Sequence, residues 1–346
     1  MRNDPSVFRQ KKVILQSKKS QKEMLDSLHI QNYRLFKDLK IEKLGQVNLI
    51  SGKNNCGKTA LLEAIRLLES KFDNTVINNI LFERGDYEVN QEDAYASLFR
   101  LYNPRQNWGI RFNDRYQIEY FSLEEPFRGK IGHYRIYDYD NEAVQKHTDK
   151  EEYVLDINLP PTHPNDKVVY IPFRDNNGSN AKLWSQIALT SKENDVIEIL
   201  KILDNSIQKI NFLGERSVVL TANMSRPIPL KNLGDGANRL LTIALGLVNA
   251  QNKVLLIDEF EIGLYHGIQE QLWEIIFKYA KEWNIQVFVT THSLDTIRAF
   301  AEISAKFEGM GEYLRLQKSR TTDEIEAVIY SKKSLNYAIE DSLEMR

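Results

Sequence analysis

The stretch that decides the fold is residues 52–59, which reads Gly52-Lys53-Asn54-Asn55-Cys56-Gly57-Lys58-Thr59. It fits the pattern G-x-x-x-x-G-K-[ST] of a phosphate-binding P-loop. An apolar run at 46–50 precedes it and predicts a strand, and the run at 60–68 follows it and predicts a helix. A strand, a glycine-containing loop and a helix N-terminus are the local structure that phosphate binding needs.

The residue types of this loop have separate chemical uses. Gly52 and Gly57 permit backbone conformations and a close approach that a Cβ atom would block. Lys58 would reach the β- and γ-phosphates, and the Thr59 hydroxyl would hold Mg²⁺. A Gly/Asn-rich turn that matches by chance is the alternative, and the flanking strand and helix disfavour it. The predicted nucleotide-binding residues are Gly52, Lys53, Asn54, Asn55, Cys56, Gly57, Lys58, Thr59 and Ala60.

The composition is ordinary for a soluble globular protein. Charged residues make up 27% and hydrophobic residues 42% of the 346 residues, a length that allows one elaborated domain or two lobes. The net charge is -2, so a nucleic-acid site would have to be a local patch. No apolar run approaches the length of a membrane span, and we therefore expect a cytoplasmic protein without a membrane partner.

Cys56 is the only cysteine of the chain. A disulfide within the chain is therefore impossible, which suits a reducing cytoplasm. A thiol near a helix N-terminus can have a lowered pKa, so a redox sensor is one interpretation of this residue. A tolerated spacer inside the loop is the other interpretation, and we favour it.

Residues 1–24 form a basic N-terminal arm. Its only apolar run, 13–15, is too short for the core of a signal peptide. We expect a solvated arm, with contact to nucleic acid as the alternative. The basic residues of the arm are Arg2, Arg9, Lys11, Lys12, Lys18, Lys19 and Lys22.

Two further patterns describe the middle of the chain. Residues 28–34 alternate between apolar and polar, and the aromatic-rich runs 109–112, 116–121 and 134–137 alternate likewise, which predicts the antiparallel strands of a β-lobe. Residues 195–212 carry apolar side chains at helical spacing, and we predict a helix of a second, smaller lobe there.

A second group of candidate site residues follows a continuous apolar strand at 254–257. The strand ends in Asp258 and Glu259. Strands of this kind are buried in parallel sheets, with functional residues at their carboxyl ends. Asp258 would hold Mg²⁺, as the acid of a Walker B strand does, and Glu259 would orient or deprotonate the attacking water. A strand that simply ends in solvated acids is the alternative.

The next predicted strand, 286–290, leads to His292. A histidine at this place can hydrogen-bond a γ-phosphate and report its presence. A histidine after a strand is usually structural, but here it follows the strand next after the Walker B strand. We therefore predict that Glu259 and His292 are the catalytic residues and that Thr59 and Asp258 are the metal ligands.

These blocks together resemble the ATP-binding-cassette ATPases of the RecF, OLD and SMC-like type. The resemblance runs from the first strand to about residue 300 and covers most of the chain. Two departures are a signature without the Ser-Gly-Gly-Gln of transporters and a Q-loop that we cannot place. The matching segments are 30–36 for the first strand, 48–59 for the P-loop, 233–236 for the signature, 257–264 for Walker B and D-loop, and 290–293 for the switch histidine.

The resemblance implies an α/β P-loop ATPase fold with a mixed sheet, an antiparallel β-lobe and a smaller helical lobe. One ATPase domain would span 25–346, with the β-lobe at about 25–175, the helical lobe at about 180–235 and the Walker B and switch half at about 236–346. It also implies a head-to-head dimer, or a higher homo-oligomer, that sandwiches ATP and Mg²⁺. Asp235 and Gly236 would act on the partner's nucleotide, and Arg34 would lie near the chain's own nucleotide.

Three functions are compatible with these features. The first is an ATPase switch that controls a separate effector, such as a nuclease or toxin, because similar stand-alone ATPases occur in bacterial antiphage systems. The second is a RecF-like repair factor that acts directly on DNA. The third is an ATP-binding scaffold that restrains a toxin-like partner. A transporter ATPase fits least, because of the signature and the early β-lobe.

Overall fold

The computed structural model describes residues 24–70, 73–86, 94–102, 108–113, 116–122, 132–138, 167–173, 179–234, 236–322 and 324–340. The predicted basic arm, residues 1–24, lies outside this part of the chain except for Met24. So does Asp235 of the signature. Among the described helices, none is long and apolar enough to cross a membrane.

The described part of the chain contains fourteen strands, together with eight α-helices that each have more than six residues. The strands are β1 (Leu28–Tyr33), β2 (Phe36–Ile41), β3 (Val47–Ser51), β4 (Trp108–Phe112), β5 (Tyr116–Ser122), β6 (Gly132–Asp138), β7 (Val168–Ile171), β8 (Ile207–Leu213), β9 (Arg216–Thr221), β10 (Ile228–Pro229), β11 (Val254–Ile257), β12 (Gln286–Thr291), β13 (Gly311–Lys318) and β14 (Ile325–Tyr330). The helices are α1 (Lys58–Glu69), α2 (Asn74–Glu83), α3 (Ser179–Ser185), α4 (Lys192–Leu200), α5 (Ala237–Asn249), α6 (Gln269–Glu282), α7 (Leu294–Ser304) and α8 (Lys332–Glu340).

A six-stranded sheet forms the centre of the molecule, in the order β14-β13-β3-β12-β11-β7. The strands from β13 to β7 run parallel, and β14 pairs antiparallel with β13 at one edge. Because the parallel strands share one direction, the loops after β3, β11, β12 and β7 all leave the sheet at the carboxyl ends of the strands. This side of the sheet is a different edge from the one formed by β14. The P-loop, Asp258, Glu259 and His292 therefore lie at the carboxyl end of the parallel strands.

Two hydrophobic clusters cover the two faces of this sheet. Successive residues of one strand alternate between them, so that Leu255 packs with helices α5, α6 and α7 while Leu256 packs with α1 and the antiparallel sheet. Both residues are fully buried. A central sheet between two layers explains why β11 is apolar throughout rather than alternating. The predicted α/β fold with a mixed sheet is confirmed.

The predicted antiparallel β-lobe is a five-stranded sheet in the order β2-β1-β4-β5-β6. Every neighbouring pair in it is antiparallel. Strands β4, β5 and β6 contain the three aromatic-rich runs, so the period-two alternation was a correct signal. β7, although it lies in the stretch assigned to the β-lobe, pairs with β11 in the central sheet instead.

The single helix predicted for 195–212 is wrong in its second half. Helix α4 ends at Leu200, and β8 follows it in a three-stranded antiparallel sheet with β9 and β10. A register shift between Ile207 and Lys209 places an extra residue in β8, so that Ile207 and Ile210 both face the core. This bulge gives a strand the three-residue apolar spacing of a helix, and the sequence pattern was misread for that reason.

Candidate nucleotide site

The P-loop joins the buried end of β3 to the first turn of α1, and two glycines shape it. Gly52 has φ 148° and Gly57 has φ 95°, conformations that side-chain-bearing residues rarely adopt. A Cβ atom on Gly52 would lie 2.4 Å from the Leu316 carbonyl oxygen, and one on Gly57 would lie 2.7 Å from the Phe36 ring. The glycines therefore allow the loop to pack closely against β2 and β13.

Lys58 begins α1 and turns back over the loop. Its Nζ donates to the carbonyl oxygen of Gly52 at 2.8 Å and to that of Lys53 at 3.2 Å. The side chain is only 7% exposed. The ammonium group is thus held at the loop itself, beside the positive end of the α1 dipole, where an anion would be attracted.

A hydrogen-bonded row of three side chains joins the P-loop helix to the ends of β11 and β12. The Thr59 hydroxyl donates to Asp258 Oδ2 at 2.9 Å, and the Thr290 hydroxyl donates to Asp258 Oδ1 at 2.5 Å. Asp258 is 1% exposed, and its backbone N–H donates to the Ile171 carbonyl of β7. The carboxylate is therefore fixed from three neighbouring elements.

These oxygens fit the requirements of Mg²⁺. Magnesium prefers oxygen ligands in an octahedron at about 2.1 Å, in which adjacent ligands lie about 3 Å apart. The Thr59 hydroxyl and the Asp258 carboxylate are separated by that distance. Proteins commonly supply one or two such oxygens and leave the other positions to phosphate and water. Thr59 and Asp258 are therefore suited to hold the ion together with a nucleotide.

Glu259 follows Asp258 in a left-handed backbone conformation, with φ 48°. A non-glycine residue in this region costs on the order of 1–3 kcal/mol and needs support from its surroundings. The Glu259 N–H donates to the Thr290 hydroxyl at 2.8 Å, and its carbonyl accepts from Arg239 Nη2 at 3.0 Å. The same guanidinium donates to the carbonyls of Asp258 and Pro172, so it braces the ends of β11 and β7.

His292 stands at the end of β12 and is paired with a third acid, Glu261. Its Nδ1 lies 2.9 Å from Glu261 Oε1, and its backbone N–H donates to the same oxygen at 2.9 Å. The Thr291 hydroxyl donates to Glu261 Oε2 at 2.8 Å. The imidazole is half-exposed, whereas the glutamate side chain is mostly buried.

The signature loop ends at Gly236, directly before α5. A Cβ atom on Gly236 would lie 2.3 Å from the carbonyl oxygen of Gly263, so Gly236 packs on the turn that follows the acids. Gly263 itself has φ 74°. Asp235, predicted to act beside Gly236, lies outside the described residues.

Arg34 lies between β1 and β2 and directs its side chain into a buried ion-pair network. Its Nε lies 2.9 Å from Glu63 of α1, and its Nη1 lies 3.4 Å from Asp86. Glu63 also pairs with Arg84 at 2.6 Å. The network ties the P-loop helix to the segments beside it. Contact between Arg34 and a nucleotide stays a prediction.

Cys56, in the middle of the P-loop, has a buried side chain. Its side chain is buried in the cluster that contains Ala60 and Leu61 of α1. Burial raises the pKa of its thiol above the usual value, although Lys58 acts in the opposite direction. A protonated, buried thiol supports the spacer interpretation rather than the redox sensor.

Three residues that the sequence reading missed hold this edge together: Arg239, Glu261 and Thr290. Each bonds to a predicted site residue or to its backbone. The available signals were weak. Arg239 follows the signature by three residues, and Thr290 precedes His292 by two, but their partners are set by the neighbouring strand.

The fold and this edge define a P-loop ATPase domain. Two SMC head structures are similar to the chain, each with a TM-score of 0.51. One, an SmcHead bound to the C-winged helix domain of ScpA, is 13% identical, with 92% of this chain and all of that chain covered. The other, an Smc head bound to the C-terminal domain of ScpA derived from Pyrococcus furiosus, is 10% identical, with 92% and 99% covered.

The chain belongs to the AAA domain family described as putative AbiEii toxin, Type IV TA system, which matches residues 47–298. A relative from Helicobacter pylori, named ATP/GTP phosphatase, is 25% identical over 339 residues. That similarity covers 81% of this chain and 88% of the relative.

Proposed function

We propose that the chain is an ATP-binding and ATP-hydrolysing switch that closes into a dimer around ATP and controls a separate effector protein. The observation that carries the proposal is the 2.9 Å hydrogen bond between Thr59 and Asp258. It brings the first helical turn after the P-loop to the end of β11. The proposed phosphate-binding loop, the two proposed magnesium ligands and Glu259 therefore lie at one edge of the sheet.

The proposed roles follow from this arrangement. Lys58 binds the β- and γ-phosphates, and Thr59 and Asp258 hold Mg²⁺, which neutralises the charge of the phosphate oxygens when it is bound. Glu259 orients the attacking water or takes its proton. Its carboxylate makes no hydrogen bond or ion pair with any described residue, so it is available for this role. His292 contacts the γ-phosphate side of the site.

Dimer closure and effector control rest on three supports. The P-loop and Gly236 belong to separate loops of one chain, and the turn after the acids exposes Ile262 and Tyr265.

We infer that Asp235 and Gly236 meet the nucleotide of a second copy, and that residues 25–346 work as one ATPase domain. The SMC heads are bound to another protein, and the family description names a toxin system. A bacterial defence role is the setting we propose.

Phosphate release and solution mass test the proposal. With Mg²⁺ and ATP, we expect the wild-type chain to release phosphate and its mass by light scattering to double. Lys58→Ala should lose nucleotide binding. Glu259→Gln should bind ATP, accumulate as the dimer and hydrolyse about 10²–10⁴-fold more slowly, the range for loss of a general base.

The outcomes separate the competing functions. A wild-type chain that neither binds nor hydrolyses ATP overturns the proposal. Hydrolysis that is equally fast in Glu259→Gln assigns the base elsewhere. If the solution mass does not depend on ATP, ATP does not cause dimerisation, and that part of the proposal is wrong. Glu302→Ala, which removes an exposed carboxylate from α7, is the matched control and should behave as the wild type.

A further inference from the structure

Two acids close together in the turn after β11 differ sharply in their surroundings. The Glu259 carboxylate makes no bond to a described residue, whereas the Glu261 carboxylate accepts from Thr291 Oγ1 and the His292 backbone N–H and lies 2.9 Å from Nδ1 of the His292 ring. The Glu261 side chain is 12% exposed. With both of its oxygens occupied, Glu261 is poorly placed to take a proton from water. Its surroundings point to a different use.

We propose that Glu261 is a positioning residue that fixes which nitrogen of His292 reaches the reaction centre. The inference deepens the proposed function, because it rests on His292 acting at the γ-phosphate side. In a neutral imidazole one ring nitrogen carries the proton and the other accepts. A carboxylate 2.9 Å from Nδ1 keeps the proton on Nδ1. Nε2 is then the nitrogen left for substrate.

This assignment holds in both charge states of the ring. In the neutral ring Nε2 accepts a hydrogen bond, and it can orient the attacking water. In the protonated ring Nε2 donates, and it can bond a phosphate oxygen. In each state Nδ1–H stays on Glu261, so the direction of the ring does not change during the reaction. Without the carboxylate the ring could rotate and exchange tautomers.

The backbone around Glu261 is rigid enough for this role. Its carbonyl accepts from the Leu264 N–H at 2.9 Å, which closes the turn. The preceding residue, Phe260, is fully buried, and its ring stacks on that of Trp273 with centroids 4.6 Å apart. The Phe260 N–H donates to the Thr290 carbonyl at 3.0 Å. A carboxylate held this firmly can set the geometry of its partner.

The tautomer of His292 can be read without any enzymatic activity. We would record two-bond ¹H–¹⁵N spectra of ¹⁵N-histidine-labelled protein at pH 8.5, well above the ordinary pKa of about 6.5 for histidine. The chain has six histidines, and His292→Gln assigns the signal. We expect the Nδ1–H tautomer in the wild type. Glu261→Ala should shift the signal to the Nε2–H tautomer or to an average of the two.

Activity supplies the second readout. Glu261→Ala should lower kcat for ATP about 10- to 100-fold while the Kd for nucleotide changes less than about twofold. Glu261→Gln, whose side-chain oxygen still accepts from His292, should restore both the tautomer and most of kcat. Glu259→Gln should lower kcat without moving the tautomer. Glu302→Ala should change neither.

Each result decides something. A wild-type Nε2–H tautomer, or no change of tautomer in Glu261→Ala, overturns the proposal. A changed tautomer with an unchanged kcat also overturns it, since the ring direction would then not matter for hydrolysis. A wild-type chain without ATPase activity defeats the proposed function instead, and the tautomer result still judges the Glu261–His292 pairing. If Glu261→Ala does not fold, the tautomer of the wild-type chain still decides, because an Nε2–H tautomer overturns the proposal.

Discussion

The P-loop and the paired ends of β11 and β12 belong to one site, but they are built by different means. In the P-loop, the Lys58 ammonium bonds the Gly52 carbonyl only six residues away. At the strand ends, Asp258 bonds Thr59 across 199 residues of sequence and Thr290 across 32. One region is made by local backbone conformation and the other by the order of strands in a sheet.

This difference determines how each region should fail. Steric change in the loop should be severe, because a left-handed glycine packed against a buried ring has no room to adjust. Loss of a side-chain bond at the strand ends should be milder for folding but direct for chemistry. Three predictions test this contrast, beginning with the largest expected effect on stability.

Gly57→Ala should destabilise the protein by about 2–5 kcal/mol. About 1–2 kcal/mol comes from the left-handed conformation and about 1–3 kcal/mol from overpacking against the Phe36 ring. Urea denaturation, followed by both tryptophan fluorescence and circular dichroism, measures the change. Nucleotide binding should be lost along with the loop shape.

Gly214→Ala is the matched control for that substitution. Gly214 also has a positive φ, 63°, but a Cβ atom there would have nothing within 4 Å. The cost should therefore be the conformational part alone, about 1–2 kcal/mol, with nucleotide binding intact. Equal losses in the two variants would mean that close packing at Gly57 is unimportant.

Thr290→Val should lower the free energy of unfolding by about 1–3 kcal/mol, because it keeps the shape but leaves a buried carboxylate oxygen and the Glu259 N–H without their partner. It should also lower kcat at least about tenfold, since both acids lose a support. Thr242→Val is the control. The Thr242 hydroxyl is buried too, but it donates to the Asn238 carbonyl within α5. Because that carbonyl also accepts a backbone hydrogen bond of the helix, the free energy of unfolding should fall by less than about 1 kcal/mol.

Cys56 gives the smallest effect and sharpens the picture of the loop. Because burial raises the pKa of its thiol, native protein should react with iodoacetamide at pH 8 at least about tenfold more slowly than urea-unfolded protein. Mass spectrometry follows the modified fraction. A native rate equal to the unfolded rate would show that the loop opens readily, contrary to its tight packing.

The same contrast explains what the sequence could reveal. The glycines, Lys58 and Thr59 lie within eight residues, and their geometry follows from local rules, so the P-loop was readable directly. The acids and His292 were predicted as site residues because apolar strands end at them. Their bonding partners Arg239, Glu261 and Thr290 were not found, since each depends on which strand or helix lies next to the other in the sheet.

The fold followed the same rule. Continuous apolar runs correctly predicted the buried parallel strands β3, β11 and β12, and alternation correctly predicted the antiparallel strands β1, β4, β5 and β6. The error at 195–212 came from the bulge after Ile207. Because of the bulge, the buried residues Ile207 and Ile210 of this strand are three positions apart, which is the spacing expected of a helix. β7 lies in the stretch that was assigned to the β-lobe, and its place beside β11 could not be predicted, because strand order is a property of the whole chain.

The left-handed backbone of Glu259 has an evolutionary consequence. A residue that tolerates this conformation better, such as asparagine or glycine, would suit the folded backbone at this position, yet it would remove the carboxylate. Substitutions of Glu259 that improve stability therefore remove the carboxylate, whereas turnover requires that the carboxylate is kept. Copies of this chain released from the need for catalysis, such as inactive duplicates, should lose the glutamate early while the surrounding strands persist.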